Sequence, residues 1–138
     1  MRTRFLAVSM LLFVACSCGN DMTDSSPFMT LSGTWDATLT VTGGTELASG
    51  TQFTVTLAMV QTGSAVSGTF SREGGASGSI AGNIVSSTFT FTATQDPPCA
   101  GTFHGAGTIS ASYAVLDGTY AGDDCNGTLE STFTASKR

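Results

Sequence analysis

From residue 33 onward the chain alternates apolar and polar side chains with few interruptions, and little but β-sheet satisfies that pattern. In the stretch Gly33-Thr34-Trp35-Asp36-Ala37-Thr38-Leu39-Thr40-Val41-Thr42, Trp35, Ala37, Leu39 and Val41 share one face. The intervening Thr and Asp residues share the other, which is the period of a half-buried strand. The same design recurs over Thr51–Gln61, Ala65–Arg72, Ser77–Ile84, Ser87–Thr94, Gly101–Ser112, Ala114–Gly122 and Gly127–Lys137. Pro97 and Pro98 interrupt it between the fifth and sixth strands, because proline cannot donate to a ladder. No segment beyond residue 20 has a helical period. Eight short strands joined by short loops describe an antiparallel meander, and closing a meander on itself removes both sheet edges. The expected fold is all-β: a single eight-stranded antiparallel up-and-down β-barrel over residues 32–138.

The phrase Gly-Thr-hydrophobe recurs at Gly33, Gly68, Gly101, Gly107, Gly118 and Gly127. On a strand it sets a large side chain beside a gap on the inner wall, with Thr outside for β-propensity. Parity turns Trp35, Leu39, Phe53, Leu57, Phe70, Ile80, Phe89, Phe91, Phe103, Ile109, Leu116, Tyr120 and Phe133 inward. An eight-stranded barrel is either just filled by such side chains or holds one small ligand. The balance of large residues to inner glycines leans towards a filled interior. If a ligand is held, Phe53, Phe70, Phe89, Phe91, Phe103, Tyr120 and Phe133 are its expected lining. Tyr120 brings a hydroxyl that needs a partner once inside.

In a meander, alternate loops share an end. Cys99 follows the fifth strand and Cys125 the seventh, so both fall at one rim with a single hairpin between them. That placement predicts a Cys99–Cys125 disulfide. The same end carries the longer loops. Tight turns at Thr62-Gly63-Ser64, Val85-Ser86 and the Ser112-Tyr113 region are expected at the opposite end, where the chain enters.

The N-terminus reads as an export signal: Arg2 and Arg4, then the apolar run from Phe5 to Ala15, too short for a permanent span. Its end, Phe13-Val14-Ala15-Cys16, resembles the lipobox of bacterial lipoproteins, with Phe13 where that pattern prefers Leu. The resemblance implies cleavage after residue 15 and acylation of Cys16, with Cys18 as the rival acceptor. It also implies a durable membrane anchor, and Ser17 after the cysteine suits the outer membrane of a bacterial cell envelope. Residues 16–31 then form the acylated cysteine and a polar tether of roughly 20 Å. Beyond the signal, three basic residues face ten acidic ones. Such a charge repels phosphate backbones, so nucleic acid is not an expected partner.

Gly33-Thr34-Trp35 resembles the Gly-x-Trp signature of calycin barrels, the lipocalins and avidins, and Val66-Ser67-Gly68-Thr69-Phe70 is similar to an avidin-like strand. The resemblance implies a barrel floor closed by Trp35 against a basic residue of the last strand. Lys137 has the inward parity for that role. Biotin binding does not carry over, since avidins surround biotin with several tryptophans and this chain has one.

No catalytic constellation converges. His104, the only histidine, has outward parity. Asp36, Asp117 and Glu130 also point outward, against a hydrolase pair. Asp123, Asp124 and Asn126 are better explained by the Asn-Gly turn than by calcium. The expectation is therefore a non-enzymatic, lipid-anchored barrel with no cofactor or metal. It would bind a small hydrophobic ligand or another envelope protein, or else serve a purely structural role with a filled core.

Overall fold

The computed structural model describes residues 29–138. The predicted signal segment, Cys16, Cys18 and most of the proposed tether lie outside the described residues. The remainder forms eight strands: β1 (Gly33–Gly44), β2 (Gln52–Thr62), β3 (Ala65–Arg72), β4 (Ser77–Val85), β5 (Thr88–Gln95), β6 (Gly101–Ile109), β7 (Val115–Asp124) and β8 (Gly127–Lys137). Each pairs antiparallel with the next, and β8 pairs with β1 to close the barrel. Among the described residues there is no helix.

Register follows from the alternation. Trp35 stands opposite Leu57 on β2 and Lys137 on β8, and Leu39 opposite Phe53 and Phe133. A slip of one residue would turn each of these sets outward. The outer wall is largely Thr and Ser, exposed on every strand. A barrel that faces lipid carries its apolar residues outside; this one carries them inside.

The inner glycines have a cross-strand explanation. Gly78 lies opposite Phe70, Gly107 opposite Phe89, Gly118 opposite Phe133 and Gly122 opposite Phe103. A Cβ on Gly78 or Gly122 would come within 2.8 Å of the facing aromatic ring. At Gly78 and Gly122 the neighbouring strand supplies the ring, Phe70 or Phe103, that fills the gap.

The end where the chain enters is sealed. Trp35 is fully buried, and its indole N–H donates to the Leu31 carbonyl at 2.9 Å. Leu31 is itself fully buried, although its polar, aperiodic surroundings assign it to the tether. Gln61 holds that strap: its side-chain oxygen accepts the Leu31 N–H at 2.8 Å, and its own N–H donates to Ser32 Oγ at 2.8 Å. Lys137 Nζ lies 5.7 Å from the Trp35 ring centroid and donates to the Thr30 carbonyl at 2.7 Å. The β6–β7 connection also differs from expectation. β6 stops at Ile109, because Ser110 Oγ accepts the N–H groups of Ala114 and Val115 and Tyr113 turns to φ 54°. The resulting 110–114 loop lays Tyr113 against the core at the floor.

Candidate functional site

Above the floor the interior is not filled. A cavity of about 100 Å³ opens towards the looped end, where residues 45–51, 73–76, 96–100 and 125–126 connect the strands. Its wall is mainly aromatic and aliphatic, with Phe53, Phe70, Phe89, Phe91, Phe103, Tyr120 and Phe133 all contributing. A space of this size is compatible with a barrel that holds one small ligand and with a structural one. Counting residues misses the space because Phe89 stacks on Phe91 at 5.3 Å and Phe91 meets Phe133 edge-on at 5.8 Å. Rings that pack on one another, and over glycines, draw back to the wall. Phe53, Leu57, Phe70, Phe91 and Tyr120 have inward parity yet are only partly buried. That partial exposure is what an opening to water produces. The volume lies well below the ~300–1,000 Å³ of pockets for drug-sized ligands. It is nearer the scale of a void that takes up one small hydrocarbon ring.

The mouth is polar. Glu46, Arg72, Gln95 and Asp124 line its upper wall. Glu46 is placed there by its loop: its N–H donates to the Thr128 carbonyl at 3.0 Å, while Leu47 packs on the Val41, Phe103 and Leu129 cluster. The Glu46 side chain is 9 % exposed. One carboxylate oxygen sits 3.9 Å from Arg72, the outer limit of an ion pair, and the other is buried without a hydrogen-bond partner. Burial, then the nearby Asp124 charge, push the Glu46 carboxyl above its ordinary value, with Arg72 opposing. The Arg72 guanidinium stacks 4.1 Å over the Phe53 ring. Asp124 accepts from Gln95 Nε2 at 3.0 Å and from the Asn126 N–H at 2.7 Å.

Cys99 and Cys125 form a disulfide at this rim. It joins the β5–β6 and β7–β8 loops, and Gln95 Nε2 donates to the Cys99 carbonyl at 2.6 Å. The two sulfurs and Asp124 lie together, but a disulfide leaves no thiolate to hold a metal.

Deeper in, Tyr120 packs edge-on against Phe103 at 5.8 Å. Its phenol is pushed up to about 12, chiefly by burial, with the neighbouring Ser131 hydroxyl opposing. Ser131 faces inward opposite Tyr120 on β8, is 2 % exposed, and its Oγ reaches hydrogen-bond geometry with no group. His104 is on the outer wall, with Nδ1 3.0 Å from Thr92 Oγ1. Asp36, Asp117 and Glu130 are exposed on β1, β7 and β8 respectively. Asp36 forms an exposed pair with Arg138 at 2.6 Å, which holds its carboxyl below the ordinary value.

The mouth carboxylates and Arg72 did not enter the sequence-based site. Arg72, Gln95 and Asp124 were readable, since inward parity continued to the strand ends reaches all three. Glu46 carries no such signal, because a loop places it. The sequence matches no protein-family profile and no curated protein.

Proposed function

We propose that this protein is a lipid-anchored, non-enzymatic binding module that takes a small, largely apolar ligand into the barrel through its looped end. The observation that carries the reading is the apolar cavity above a sealed floor, lined by partly exposed aromatics and reached past a polar rim. Barrel mouths are recurrent sites for such ligands. Three features support the choice over a purely structural barrel. Tyr120 brings a phenol hydroxyl into the otherwise apolar cavity wall. One oxygen of the Glu46 carboxylate is buried without a hydrogen-bond partner, while the other faces Arg72. The disulfide fixes the rim rather than the core.

The anchor belongs to the same proposal: a calycin-like barrel held at a bacterial envelope, its mouth turned away from the membrane, by acyl chains on Cys16. Support comes from the lipobox-like Val14-Ala15-Cys16 and from the chain entering at the sealed end. Palmitate labelling tests it. Cys16→Ser should abolish incorporation and Cys18→Ser should not; the reverse pattern transfers the role to Cys18. Native mass spectrometry of the protein from a bacterial envelope tests the binding. A reproducible small mass that leaves on denaturation is expected. A protein that stays bare after exposure to short alkanes, alkanols and alkylamines would contradict the reading.

A further inference from the structure

The two ends of the barrel differ in charge as well as in closure. The mouth carries Glu46, Glu73, Asp96, Asp123 and Asp124, and among the described residues Arg72 is the one Lys or Arg at that end. The other two basic side chains, Lys137 and Arg138, lie at the floor. A small ligand approaching the cavity therefore meets a strongly negative rim, which draws cations in and turns anions away. One of these carboxylates is not simply solvated. Glu46 lines the cavity, its side chain is 9 % exposed, and one of its oxygens is buried without a donor.

We propose that the ligand is a short amphiphile with a cationic or hydrogen-bond-donating head, which the free oxygen of Glu46 receives at the mouth while the apolar tail occupies the aromatic cavity. This rests on the cavity being a ligand site. It selects among apolar ligands: an alkylammonium fits, a neutral alkanol fits less well, and a fatty-acid carboxylate is rejected. An ammonium supplies the missing donor and a charge-assisted bond at once. Arg72 does not reverse the preference, because it is stacked on Phe53 and already faces Glu46. Asp124 adds negative charge beside the head, while its own oxygens remain occupied by Gln95 and Asn126. Tyr120 lines the cavity deeper in, where its hydroxyl is within the wall that a second polar atom on the tail would meet.

The test is calorimetric titration of the full-length protein with butylamine, butanol and butyrate, whose tails suit a cavity of this size, at low and high salt. Butylamine should bind at least tenfold more tightly than butyrate, with butanol between, and the amine's advantage should shrink as salt screens the rim. In Glu46→Gln the amine should fall to the level of butanol while the melting temperature holds or rises, which shows the variant is folded. Glu73→Gln, at an exposed rim position, should keep most of the preference. Butyrate binding as tightly as butylamine would overturn the head-group proposal and leave the cavity reading standing. So would Glu73→Gln losing as much preference as Glu46→Gln. Binding of none of the three would overturn the cavity reading itself.

Discussion

The floor and the mouth of this barrel are built from the same alternating strands, yet they spend polar groups in opposite ways. At the floor the buried polar groups find partners. The Trp35 indole bonds Leu31, the Leu31 N–H bonds Gln61, and Lys137 bonds Thr30. At the mouth, and just below it, Glu46 and Ser131 each leave a buried oxygen unpaired. Satisfied burial stabilises a fold, whereas unsatisfied burial costs it stability. The contrast separates a lower half whose buried polar groups are paired from an upper half that leaves two oxygens unpaired, and the proposed ligand would occupy the upper half.

Substitutions sharpen that contrast, and the floor should give the largest effect. Trp35→Ala removes a fully buried ring and its bond to the Leu31 strap, and should cost about 3–5 kcal/mol in a denaturant titration. Loss of the disulfide comes next. Cys99→Ser frees two loops joined across 26 residues and should lower stability by roughly 2–4 kcal/mol, chiefly by loosening the unfolded-state constraint. An unchanged melting temperature under non-reducing conditions would break that assignment. Ser131→Ala should go the other way. Deleting an unpaired buried hydroxyl should leave the ligand-free protein unchanged or stabilise it by up to about 1 kcal/mol. A clear loss would mean that Ser131 is satisfied in solution.

The smallest effect is read against pH. Burial and Asp124 raise the Glu46 carboxyl above its usual 4.5, so the folded state holds that proton more tightly than the unfolded chain. The charged form is the penalised one. The penalty is absent below the unfolded value and sets in as pH rises from there through the raised folded value. Glu46→Gln should remove this part of the pH dependence, so that wild type loses stability relative to the variant over that interval. Parallel melting curves from acid to neutral pH would show instead that Glu46 is solvated.

Much of the fold was legible because alternation is a local signal. All eight strands, their order and the rim position of both cysteines follow from parity and from counting loops. Legibility stops where placement depends on distant groups. Leu31 is aperiodic and looks like tether, and only the Gln61 and Trp35 contacts make it core. Alternation carries β6 through Ser112, while the Ser110 side chain diverts the backbone into a turn after Ile109. The aromatic lining was recoverable residue by residue, but the cavity was not. Whether rings meet at the centre or lie back over glycines is decided by pairs such as Gly78 with Phe70 on a neighbouring strand. Glu46 was the least accessible, since its burial comes from a loop anchored through Leu47 and Thr128.

The most direct test of a sealed floor beneath an open apolar cavity is a crystal structure of the protein determined under xenon pressure. Xenon enters apolar voids without needing a polar partner. The account predicts a xenon site among Phe53, Phe89, Phe91 and Phe133, and none beside Trp35 and Leu31. An interior closed by those rings with no xenon bound, or a site at the floor instead, would contradict it.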